Sequence, residues 1–150
     1  MTMEITGKPE IRMRTDTVTD SPERKYNELV RRGASSRDYS SQHTSMDANA
    51  VAFSSYINAA LLAQKHGFNA ELVSDAAISG FYAVMKGANV AMANGLPAIA
   101  KTYLEYAIIT SERFGLGEDR TRMAVSKMRK LKALISSLPI RRLDLCANEQ

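Results

Sequence analysis

The chain has 150 residues, 45% of them apolar and 24% charged, with 8 Met and no Trp. That length holds one domain with a core that needs no staples, and the single cysteine, Cys146, excludes an intramolecular disulfide framework. A formal net charge of +4 and a sequence pI near 9.3 favour acidic partners, among which nucleic acid is one class.

Residues 1–20 mix Thr, charge and isolated apolar residues without a helical or strand period. This predicts a mobile N-terminal arm, and the lack of a continuous apolar run argues against a signal peptide. Ser21-Pro22-Glu23 reads as a helix opening: a capping hydroxyl, a proline where a missing N–H is harmless, and an acid at the positive end of the dipole. The short helix of residues 21–33 is expected to stop at Gly33, with Tyr26, Leu29 and Val30 as candidate arm contacts for a partner. Residues 34–45, "ASSRDYSSQHTS", have little to bury and read as a Ser-rich linker ahead of a folded domain over 46–145.

Ser45 is the expected cap of the first core helix, in which Val51, Ala52, Tyr56, Ala59, Ala60 and Ala63 recur at helical spacing. Lys65-His66-Gly67 makes a basic ending, His66 serving the negative end of the dipole. Asn69 opens the next helix, whose Leu72, Ala76, Phe81, Val84, Ala88 and Ala91 form a wide apolar surface. Gly80 and Gly87 on that helix each cost up to about 1 kcal/mol against Ala, a cost usually offset where a neighbour must come close. The run from Ala76 to Ala93 is the most apolar in the chain, but Lys86 and Asn89 lie within it. A lysine at a bilayer centre costs about 3 kcal/mol or more, so the run predicts the most buried helix of a core and no transmembrane segment.

From Gly95 to Gly115 the sequence reads as one complete helix, begun at Pro97 and stopped at a left-handed glycine. Ala100, Leu104 and Ala107 form one stripe, with Ile99, Tyr103 and Tyr106 beside it, which predicts a central helix touching more than one neighbour. Gly117-Glu118-Asp119 starts the last helix. Its Ala124, Met128, Leu131, Ile135 and Leu138 alternate at spacings of four and three, the seam of a packed or paired helix, and Pro139 is expected to stop it. The tail is residues 146–150. Together these elements predict an all-α fold, a compact antiparallel bundle of about four to five helices with a flexible N-terminal arm.

The pair of helices over about 81–114 resembles a single tetratricopeptide-type hairpin. Gly95 stands at the turn, Ala100, Leu104 and Ala107 match the small–bulky–small offsets of the second helix, and Ala88 suits the small position of the first. Ala91 stands where that family usually has an aromatic, and Val84 where a larger residue is common. The resemblance covers about a quarter of the chain, with no second copy at the family's spacing of about 34 residues. It implies a surface for a peptide or helix, and no chemistry.

The strongest local feature is charge on the last helix: Arg120, Arg122, Lys127, Arg129, Lys130, Lys132, Arg141 and Arg142, with no acid between them. Arg122 and Arg129 oppose the seam, while Lys130 and Lys132 flank it on either side. Such an amphipathic basic helix suits an acidic protein face or phosphates, and otherwise serves as a solvated surface. No aromatic is interleaved to stack on single-stranded bases. His43 and His66 have no Cys or carboxylate at ligand spacing, and Glu71 with Asp75 are ordinary first-turn acids, so no catalytic, cofactor or metal site is predicted. "GLGED" lacks the Lys and further Gly of a phosphate loop. The sequence therefore points to a non-catalytic protein–protein interaction module whose partner has an acidic face. A small basic nucleic-acid-binding regulator is the alternative, and an effector secreted without a cleaved signal a third. The expected location is cytoplasmic or otherwise soluble and intracellular. Self-association through the 124–138 helix is a further expectation.

Overall fold

The computed structural model describes residues 21–137. Five helices follow one another: α1 (Pro22–His43), α2 (Met46–Lys65), α3 (Ala70–Ala93), α4 (Pro97–Phe114) and α5 (Glu118–Ser136). The expected mobile arm 1–20, the Pro139 stop, Arg141, Arg142 and the tail 146–150 lie outside the described residues. Short turns make successive helices antiparallel, and each helix packs chiefly on its neighbours in sequence, with a small direct contact of α1 on α3. The fold is an all-α antiparallel bundle.

The expected caps are in place. Ser21 Oγ accepts from Arg24 N, Ser45 Oγ from Ala48 N and the Asn69 side chain from Glu71 N. Gly115 ends α4 in the left-handed region at φ +61°, its N–H donating to the Ser111 carbonyl. Between the caps, the core is built from small side chains. Ala52, Ala59, Ala60 and Ala63 of α2 and Ala76, Ala77, Ala83, Ala88 and Ala91 of α3 are all buried, with Tyr26, Tyr56 and Phe81 as the largest enclosed groups. Alanine loses no rotamer entropy on burial and lets helix axes approach closely.

Two expectations about the N-terminal half are corrected. α1 does not stop at Gly33, and residues 34–43 are helix rather than linker. Gly33 is a close-packing position: a Cβ there would lie 2.9 Å from the ring of the buried Tyr56. Ser40, in a run that looks unable to support a core, serves it because it is small. Ala34 and Ser40 are buried, and Ser40 Oγ accepts from Asn49 Nδ2 at 2.6 Å and donates to the Ser45 carbonyl at 3.2 Å. The helix ends instead at Thr44, in the left-handed region at φ +47°, whose N–H reaches the Ser40 carbonyl. Tyr26 and Val30 are core residues rather than arm contacts, and Leu29 is partly buried beside them. Tyr26 Oη donates to the Leu72 carbonyl at 2.9 Å, and its ring meets Phe68 edge-on. Removal from water, with the Asp75 carboxylate as a lesser cause, pushes its phenol well above the ordinary range.

The buried centre is α3, held between α2 and α4, as its apolar run predicts. Gly87 lies beneath Tyr103, whose ring would stand 2.6 Å from an added Cβ, and Gly80 lies beneath Ile57. α4 is less central than its pattern suggests. Ala100, Leu104 and Ala107 are buried, but Ile99 and Tyr106 are exposed; Tyr106 stacks on Phe53 of α2, and Tyr103 Oη donates to the Met46 carbonyl at 3.4 Å. Among the described residues, no helix is long and apolar enough to cross a membrane.

Candidate functional site: the basic helix α5

α5 starts at Gly117, at φ +105°, with no side-chain cap. Its first turn is held electrostatically instead. Glu118 and Asp119 lie at the positive end of the dipole and both pair with Arg122, at 3.3 and 3.2 Å. These groups are exposed, so such pairs contribute at most a few tenths of a kcal/mol each. Thr121 Oγ1 and Ser111 Oγ share a hydrogen bond of 2.7 Å that ties the start of α5 to the end of α4.

The seam divides as its spacing predicts. Ala124, Met128 and Leu131 are buried and Ile135 partly so, while Leu138 lies outside the described residues. The neighbour that buries this seam is α4 of the same chain. Any pairing of two copies through it would have to displace α4. The apolar side chains α5 leaves open to a partner are therefore Met123 and Leu134, 41% and 47% exposed.

The predicted cations do not form one set. Arg122 is taken by acids of its own turn. Arg120 is half-buried: its Nη1 donates to the Leu116 carbonyl at 2.9 Å, and its guanidinium lies 5.7 Å from the centre of the Tyr82 ring on α3. Its buried Nε has no acceptor among the described residues. Lys127 reaches across to α3 and donates to Asn89 Oδ1 at 3.1 Å. Arg129, Lys130 and Lys132 are exposed and make no ion pair among the described residues. Arg120 and Lys127 thus tie α5 to its surroundings, Arg122 is paired within its own turn, and Arg129, Lys130 and Lys132 project positive charge.

Sequence reasoning missed the polar knot at the α1–α2 corner, where Asn49 is fully buried with Nδ2 shared between Ser40 Oγ and the Ser45 carbonyl. Its only signal was an asparagine on the apolar face of α2. It also missed Tyr82 and Asn89, the α3 groups that receive Arg120 and Lys127; nothing in local spacing links them to α5. His43 stacks on Tyr39 at 4.0 Å and His66 caps α2, and among the described residues no three His, Cys, Asp or Glu side chains gather as a metal site requires. Among the described residues, open depressions lie at the α4–α5 turn beside Glu112 and Thr121 and between α1 and α2 beside Ser35 and Asp47. Comparisons with protein-family models, with curated proteins and with solved structures find no match.

Proposed function

We propose that this chain is a non-catalytic helical binding module whose basic helix α5 engages an acidic face of another protein. The observation that carries the reading is the segment Lys127–Lys132, which presents Lys127, Arg129, Lys130 and Lys132 with no acid between them. Surface lysines that serve only as a solvated face are commonly interspersed with acids, as Arg122 is with Glu118 and Asp119. Desolvating four cations that make no ion pair among the described residues favours a partner that brings the opposite charge, which sets orientation and association rate. The α3–α4 hairpin, with its tetratricopeptide-like turn, is read here as the scaffold on which α5 is mounted.

The test is fluorescence anisotropy of a labelled polyglutamate peptide with the full chain across a salt series. Binding that weakens with salt, and is lost when Arg129, Lys130 and Lys132 become Ala, supports the reading. Absence of binding at low salt overturns it. The same cations favour a second reading, phosphate contacts on nucleic acid, so a labelled duplex is run beside the peptide. Binding of the duplex alone, with a steep salt slope, replaces the protein partner by nucleic acid.

A further inference from the structure

We infer that the partner surface for α5 is an acidic amphipathic helix that lies along the α3–α5 face, seated on Met123 and Leu134. This rests on the proposed function and narrows it to one flank and one kind of ligand. Met123, Lys127, Lys130 and Leu134 recur at spacings of four, three and four, so they form a single stripe on the helix. Its ends are exposed apolar side chains about 16 Å apart at the helical rise, and its middle is two cations.

This flank is the one turned towards α3. Arg120 and Lys127 lie on it, one turn to either side of Met123, and both reach α3, at Tyr82 and Asn89. α3 and α5 are bridged here by long side chains, while α5 packs chiefly on α4 and α3 lies between α2 and α4. Tyr82 is itself 40% exposed and carries Arg120, one turn before Met123, over its ring. The charge of the face is one-sided. No acid occurs on α5 after Asp119, and none on α3 after Asp75. A helix with apolar residues matching the Met123–Leu134 spacing and glutamates or aspartates between them would meet apolar groups at both ends and cations in the middle.

The remaining exposed apolar groups carry no such specification. Ile99, Tyr106 and Ile109 of α4 share their helix with Lys101, Glu105, Glu112 and Arg113, of both signs. Lys132 flanks the seam on the side away from α3, and Arg129 opposes the seam, so neither belongs to the stripe. That separation makes the inference testable. A helix seated on the stripe depends on Met123, Leu134, Lys127 and Lys130, whereas a diffuse polyanion depends on every exposed cation of α5 alike.

The experiment uses the full chain and a labelled peptide helix with two leucines at the spacing of Met123 and Leu134 and glutamates on the intervening positions of the same face. Polyglutamate and a DNA duplex are the comparison probes. Met123→Ser and Leu134→Ser are each expected to weaken the designed helix about fivefold or more, as truncation of an anchoring side chain does, and to leave polyglutamate unchanged. Lys127→Glu with Lys130→Glu abolishes binding of the designed helix, while Arg129→Glu with Lys132→Glu weakens it less. All six positions are exposed, and circular dichroism checks that each variant retains its helices. Equal binding of the designed helix and polyglutamate, insensitive to Met123 and Leu134, overturns this inference and leaves the proposed function standing. Failure of both acidic probes overturns both.

Discussion

Gly33→Ala separates a helix that ends at residue 33 from one that packs through it. In an exposed helix interior the added methyl would stabilise by up to about 1 kcal/mol, because glycine has more backbone freedom to lose. In this structure the new Cβ would lie 2.9 Å from Cε2 and Cζ of Tyr56 and 3.0 Å from Cδ2, inside normal contact distance. Tyr56 has little room to retreat, being 1% exposed within the α2 core. Overpacking of such a site costs about 1–3 kcal/mol, which outweighs the helix gain and leaves a net loss of about 1 kcal/mol. For a two-state domain near this size that lowers Tm by about 4 °C. The assay is thermal and urea unfolding followed by circular dichroism, with Gly33→Val expected to be worse than Gly33→Ala. Stabilisation by Gly33→Ala would refute the reasoning, because it would mean that α1 does not lie against Tyr56.

Tyr26→Phe removes the phenol's hydrogen bond to the Leu72 carbonyl and is expected to cost about 0.5–1.5 kcal/mol in urea unfolding, with no effect on any acidic probe. A double-mutant cycle on Ser40→Ala and Asn49→Ala should give a coupling energy of at least about 0.5 kcal/mol, and additivity would contradict the 2.6 Å hydrogen bond. Burial raises the phenols of Tyr26, Tyr56 and Tyr103, with nearby carboxylates (Asp75, Asp38 and Asp47 respectively) as lesser causes and Arg37 pulling Tyr56 the other way. A raised folded-state value means the folded protein holds those protons more tightly than the unfolded chain. Their contribution to stability is therefore complete below the ordinary tyrosine value near 10 and is lost as pH rises beyond it. Urea midpoints measured above pH 10 should fall, and less so in Tyr26→Phe measured against its own neutral-pH value; equal falls would contradict the assignment.

The bundle was legible because its helix ends carry strong local chemistry. Ser21, Ser45, Asn69, Pro97 and Gly115 each perform the role their side chain or backbone suits. The error at Gly33 has a physical origin: glycine means either a helix stop or a close approach, and only the partner decides which. That partner, Tyr56, is on another helix. The same holds for Ser40, whose polarity argues for a loop while its size fits the α1–α2 contact. Gly80 and Gly87 read correctly because they sit inside a long apolar run that has no other reason to contain glycine. At the candidate site, the cations and seam of α5 were visible in the spacing. Their division into Arg120 and Lys127, which reach Leu116, Tyr82 and Asn89, and Arg129, Lys130 and Lys132, which face outward, depends on packing.

The most direct test of α5 as a binding surface is a residue-by-residue amide NMR titration of the full chain with the designed acidic helix. Shift changes are expected to concentrate over Met123–Leu134 and at Tyr82 and Asn89 on α3, and to disappear when Lys127 and Lys130 are reversed to Glu. Changes centred instead on Phe53, Ile99 and Tyr106, on the α2–α4 side, would contradict that expectation and move the binding surface to the opposite face.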